Sequence, residues 1–77
     1  MSNEPIPAVR VKPGEYFLAA EHVEVGLQFR YGDAVYEVMS EPKRWGAAWT
    51  ATIRQIEGRR PGIEFRAILH LGRKVDG

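Results

Sequence analysis

Apolar and polar residues alternate with a period of two through most of this chain. Leu27, Phe29 and Tyr31 alternate with Gln28 and Arg30. That is the spacing of a half-buried strand, because successive side chains leave a strand on opposite faces. Gly32-Asp33 follows, and then Ala34-Val35-Tyr36-Glu37-Val38. A Gly-Asp pair between two such runs predicts a tight hairpin, since glycine accepts the positive φ that such turns need. In the second strand we place Tyr36 and Val38 inward, which sends Glu37 to water. Val35 and Met39 form the competing face.

The pattern recurs downstream. Trp45, Ala47, Trp49, Ala51 and Ile53 share one parity, and Gly46, Ala48, Thr50, Thr52 and Arg54 share the other. This predicts a long strand with one apolar and one polar-small face. Ile63, Phe65, Ala67, Leu69 and Leu71 alternate against Glu64, Arg66, Ile68 and His70, giving another strand. Glu41-Pro42-Lys43-Arg44 and Glu57-Gly58-Arg59-Arg60-Pro61-Gly62 read as loops. Upstream, Val9-Arg10-Val11-Lys12 fits a short strand at an edge, closed by a turn at Pro13-Gly14. Residues 15–24 fit either a helical turn or a strand. No repeat at helical spacing follows them, so an irregular turn entering a strand is preferred. Residues 1–8, with Pro5 and Pro7, read as a flexible arm. Residues 9–72 form a single domain, and residues 73–77 a polar tail.

These elements describe an all-β antiparallel meander with one apolar face. No long amphipathic helix is present to cover that face. The sheet must close into a small barrel, with the N-terminal strand as a fifth member, or pair with another copy. We expect an SH3-like barrel of about five strands. Its core would hold Leu27, Phe29, Tyr36, Val38, Trp49, Ala51, Ile53, Phe65, Ala67 and Leu69, with Val25, Val35 and Leu71 as additions.

Size and composition narrow the chemistry. The chain has 77 residues and no cysteine, so neither disulfides nor thiolate metal sites can staple it. A chain this short buries only about 60% of its unfolded surface, and association with a partner copy would add stability. No apolar run approaches the ~20 residues of a membrane span, and the first residues lack the pattern of a signal peptide. A cytoplasmic protein without membrane contact is the expectation. Residues 1–40 carry three basic and six acidic side chains, residues 41–77 eight basic and four acidic. The C-terminal half therefore permits an anionic partner without demanding one.

A resemblance bears on the fold. Val25-Gly26, Phe29, the tight glycine turn, Tyr36-Glu37-Val38, the basic loop and Ala47-Ala48-Trp49 resemble the SH3-like barrels of the KOW type. The N-terminal barrel of translation elongation factor P is similar over roughly residues 24–62. The resemblance implies a small barrel. It implies no ribosomal role, because Pro42-Lys43-Arg44-Trp45-Gly46 lacks the family's Gly-Lys-Gly tip.

The strongest functional lead is basic. Lys43 and Arg44 lie in one loop, Arg59 and Arg60 in another, and Arg73 and Lys74 in the tail, while Arg54 and Arg66 take the outward parity of neighbouring strands. Such side chains attract phosphates through charge and counterion release, and Trp45 offers a stacking surface for a base. Against this, Glu41, Glu57 and Glu64 interleave with the arginines, as on a plainly solvated face. Ile56 and Ile68 also point outward and predict an apolar patch for protein contact beside Trp45, with an open strand edge. Isolated surface apolar residues are the ordinary alternative. Trp49 reads as core, and Trp45 as either core or an interface anchor. His22 and His70 lack a third ligand, so no metal is expected, and no catalytic motif or cofactor-binding loop is present. Two functions remain. One is a non-catalytic module that contacts nucleic acid through Lys43, Arg44, Trp45, Arg54, Arg59, Arg60 and Arg66. The other is a protein-interaction or self-assembly module using Trp45, Ile56 and Ile68, of a size that suits a phage or mobile-element accessory protein.

Overall fold

The central hairpin forms as its alternation requires. In the computed structural model, which describes residues 4–72, Gln28–Tyr31 pairs antiparallel with Ala34–Val38, and Phe29 stands opposite Tyr36. Both of those rings lie inside. In chain order the strands are β1 (Ile6–Lys12), β2 (Glu15–Ala19), β3 (Gln28–Tyr31), β4 (Ala34–Val38), β5 (Lys43–Trp45), β6 (Ala48–Glu57) and β7 (Glu64–Gly72).

The strands run β4-β3-β1-β2-β7-β6-β5 around the molecule, and β4 pairs back onto β6. Six strands thus close a small all-β barrel, and β5 is appended outside the closure. Two seams, β1 with β3 and β2 with β7, are parallel. They arise because residues 20–27 carry the chain from the β1–β2 hairpin across to the far side of β1. Alternation within single strands does not encode that crossing. Closure leaves few open edges, which is the usual way a small all-β chain avoids indiscriminate strand pairing.

β6 makes the closure possible because it is long enough for two partners on one edge. Its C-terminal half pairs with β4, Val38 opposite Ile53, and its N-terminal end pairs with β5, Arg44 opposite Trp49. Between them the ladder is carried by Met39 N–H donating to the Thr52 carbonyl at 2.8 Å. One step on, the Thr52 N–H donates to the Ser40 hydroxyl, also at 2.8 Å. A side chain thus replaces a backbone acceptor where the chain bends away before Pro42.

The turn into β6 corrects the expected strand. Residues 45–53 are not one run. Gly46-Ala47 is a two-residue turn between Trp45 and Ala48, and Gly46 sits at φ 62°. A tight hairpin with glycine at its first central position suits the right-handed twist of the flanking strands. Lys43 and Arg44, expected in a loop, are therefore on β5. Residues 15–19 form β2, with Tyr16 and Leu18 in the core, and β1 begins at Ile6, inside the segment read as an arm.

The core consists of Tyr16, Leu18, Phe29, Tyr36, Val38, Ala51, Ile53, Ala67 and Leu69, with Leu27, Phe65 and Leu71 packed against it. Trp49 is not part of it. The indole is half-buried, and the Arg44 guanidinium lies 5.1 Å over its ring. Val35 is buried on the face opposite Tyr36, and Val25 is exposed. Tyr16 joins Phe29, Tyr31 and Tyr36 in an aromatic cluster with ring centroids 5.4, 6.0 and 5.6 Å away. Burial, and then a hydrogen bond with the Tyr36 hydroxyl, pushes the ionisation of the Tyr16 phenol well above its ordinary range.

Candidate interaction surface

Strand register sorts the outer side chains into rows. Tyr16, Leu18, Ala67 and Leu69 face inward, so Glu15, Phe17, Ile68 and His70 face outward. Val9 stands opposite Phe17, and Phe17 opposite His70. Trp45 stands opposite Ala48 at the other side of the same sheet. Ala48 lies one residue beyond the Trp49–Leu69 pair, which brings it level with His70. An apolar and aromatic band, Val9, Phe17, His70, Ala48 and Trp45, therefore crosses five strands. The Phe17 and His70 rings stack with centroids 6.3 Å apart. The His70 Nε2 lies 3.2 Å from the Glu15 carboxylate.

The next row is mixed. Glu15, Ile68, Thr50 and Lys43 stand side by side on β2, β7, β6 and β5. Trp45 projects beside this row with 62% of its surface exposed. A hollow of about 350 Å³ lies there, with Ile68 and Thr50 among its walls, Trp45 and Pro13 at its sides, and Glu15 and Arg66 as its charges. A second hollow of about 190 Å³ adjoins it, sharing Thr50 and Arg66 and adding Glu41 and Lys43. Both signs of charge are present along this groove.

The residues singled out in the sequence are only partly gathered here. Lys43, Trp45, Arg66 and Ile68 meet around Thr50. Arg44 takes the opposite side of β5, where it covers Trp49 and donates to the Gly46 carbonyl at 3.2 Å. Arg54 lies further along the outer face in an ion pair with Glu64 at 2.8 Å, and Glu37 stands opposite it on β4. Arg59 and Arg60 sit on the β6–β7 loop and line a separate cavity at the end of the barrel. Ile56 lies six strand residues from Thr50, roughly 20 Å along β6, so it shares no patch with Ile68. It is the extra residue of a bulge, since Val35 pairs with Glu57 and Tyr36 with Gln55. Arg73 and Lys74 lie outside the described residues.

Trp45 and Trp49 share a parity in the sequence, yet the Gly46-Ala47 turn places them on different strands with different neighbours. The sequence reading also missed Phe17 and Val9 as surface residues. Their signal is the parity of Glu15–Ala19, legible only once that segment is taken as a strand. Among the described residues no group of three metal-ligating side chains gathers, and no helix is long and apolar enough to cross a membrane.

Compared with known proteins, the chain matches no family model, no curated protein and no solved structure.

Proposed function

We propose that this chain is a non-catalytic binding module that associates with a second copy of itself through the outer face around Trp45. The observation that carries this reading is the 62% exposure of Trp45 beside a hollow lined by Ile68, next to the outer row that carries Phe17 and Val9. A large exposed aromatic next to half-buried apolar residues, with polar groups at the rim, is the usual anatomy of a protein contact. A two-fold interface sets each copy's patch against itself. Glu15 and Glu41 of one copy then meet Lys43 and Arg66 of the other, so the mixed charges that disfavour a polyanion become complementary. A cytoplasmic setting belongs to the same proposal and rests on composition alone.

Sedimentation equilibrium over a wide concentration range tests it. A concentration-dependent rise toward twice the monomer mass is expected, abolished by Trp45→Ala. A strict monomer at the highest concentration would remove self-association.

The nucleic-acid reading keeps one specific observation in its favour. Lys43 and Arg66 flank Trp45, and neither has an ion-pair partner among the described residues. A short labelled oligonucleotide titrated at two salt concentrations decides it, because phosphate contacts demand an affinity that falls steeply with salt. Salt-insensitive or absent binding ends that reading.

A further inference from the structure

The end of the barrel between the β3–β4 turn and the β6–β7 loop holds a cavity of about 370 Å³, within the range of small-ligand sites. Its walls include Tyr31, Asp33, Tyr36, Gln55, Arg59 and Arg60. The feature that sets it apart is Gln55. This residue is 7% exposed, and its carboxamide makes no hydrogen bond to any described residue. Its polar atoms are not sealed off, since no buried side-chain nitrogen or oxygen among the described residues lacks both partner and access. The carboxamide is therefore open to the cavity, with one acceptor and two donors unspent on the protein.

The backbone holds Gln55 in place. Its N–H donates to the Ile63 carbonyl at 2.9 Å, and its carbonyl accepts from Gly62 N–H at 2.6 Å. Gln55 continues the inward parity of Ala51 and Ile53, which sets its side chain on the inner face opposite Tyr36. Gly58, at φ 128°, lies against the amide nitrogen so closely that a Cβ there would collide with it. The carboxamide is thus held in one place with its polar atoms facing the cavity, where a ligand can take the bonds that water makes in its absence.

We propose that this barrel end is a binding site for a nucleoside monophosphate, independent of the outer face around Trp45. The Gln55 carboxamide matches a base edge that offers a donor beside an acceptor, the pairing glutamine makes with adenine. Tyr31, half-buried and with the Arg10 guanidinium 5.5 Å over its ring, supplies an aromatic wall for the base, while the Tyr36 ring beneath is packed on Phe29 and Phe65. Arg59 and Arg60 are exposed, adjacent and without an ion pair among the described residues, which leaves both guanidinium groups for a phosphate. Asp33, the one acidic residue of the lining, accepts from sugar hydroxyls and leaves the rim a net cation.

The test is a titration of the isotopically labelled full chain with adenosine 5′-monophosphate, adenosine and inorganic phosphate, followed by amide chemical shifts. Saturable shifts are expected at the Gln55 carboxamide, at Gly58–Arg60 and at the Gly32-Asp33 turn. The nucleotide should half-saturate the site below about 1 mM. Adenosine and phosphate should each bind at least about tenfold more weakly, as loss of the charged or the stacked contact implies. Replacing Arg59 and Arg60 together by serine, on an exposed loop where folding is not at stake, should weaken nucleotide binding by a similar factor, and Trp45→Ala should not change it. Gln55→Leu should weaken nucleotide binding about fivefold or more and leave the affinity for phosphate unchanged. The proposal is overturned by no saturable shift at about 10 mM nucleotide, by phosphate alone binding equally well, or by full affinity in the double arginine variant.

Discussion

Two hairpins of this chain turn on the same chemistry and end in different places. Gly32-Asp33 joins β3 to β4, and Gly46-Ala47 joins β5 to β6. The first hairpin lies wholly in the barrel wall, with Phe29 fully buried and Tyr36 8% exposed across from it. The second leaves the wall at Trp45. All three residues of β5 are exposed, and the pair at the same position of the ladder is Lys43 opposite Thr50, on the outer face. The difference lies in what stands behind each strand. β3 is backed by β1 and β4 is closed by β6, whereas β5 has β6 on one edge and, among the described residues, no strand on the other. A turn sequence therefore predicts that a hairpin forms, and neighbouring strands decide whether it builds a core or presents a surface.

The contrast is sharpest at the two large aromatics. Phe29→Ala removes a fully buried ring from the centre of the first hairpin and should cost about 3–5 kcal/mol in chemical denaturation. That approaches the whole stability of a domain this size, about 4–12 kcal/mol at the usual value per residue. A loss under about 1 kcal/mol would mean that β3 does not face the core.

Turns should show a smaller contrast. Gly58→Ala forces a side chain against Gln55 and Ala34 as well as into a positive-φ conformation, and should destabilise by about 2 kcal/mol or more. Gly46→Ala meets open space, so only the backbone penalty of about 1–2 kcal/mol applies. Equal effects in thermal unfolding would refute the close packing of the β6–β7 loop on Gln55.

An alkaline titration probes the wall from inside. The folded chain holds the Tyr16 proton above its ordinary range, whereas the unfolded chain releases it near pH 10. Below that pH the contribution of the buried phenol is whole. As pH rises through it, the unfolded state loses its proton first, and stability falls until the folded phenol ionises too. Tyr16→Phe should make this alkaline decline shallower, read as the slope of unfolding free energy between about pH 9.5 and 11.

At the appended hairpin the expected change is the smallest. Trp45→Ala should alter monomer stability by no more than about 0.5 kcal/mol while removing self-association. A stability loss as large as that of Phe29→Ala would make Trp45 a core residue after all.

The fold was legible where neighbours in sequence are neighbours in space. Leu27 to Val38 gave strand, turn and register, because alternation and a Gly-Asp pair act within a dozen residues. Ala51, Ile53, Ala67 and Leu69 were found for the same reason. Tyr16 and Leu18 were not, since an alternating run of only five residues, Glu15 to Ala19, looks as much like a helical turn as a strand. Trp49 has the inward parity of Ala51 but lies where β6 pairs with β5 instead of β4, so Arg44 covers its ring, and no local period marks that boundary. Of the candidate surface, Trp45 and Ile68 were legible as outward residues. Phe17 and Val9 pair in a local hairpin, but their place beside His70 required the parallel seam between β2 and β7, a pairing of segments some fifty residues apart that no local pattern reports. Gln55 was passed over because a glutamine on a strand ordinarily faces water, although it continues the inward parity of Ala51 and Ile53.

The Ser40 hydroxyl ends the ladder of the closed wall, and everything from there to Ala47 lies outside it. Evolution can therefore rewrite that strip at little risk to folding. A lengthened tip, a different aromatic or a reversed charge in place of Lys43 changes what the molecule meets, while the six-stranded cylinder beneath keeps its contents.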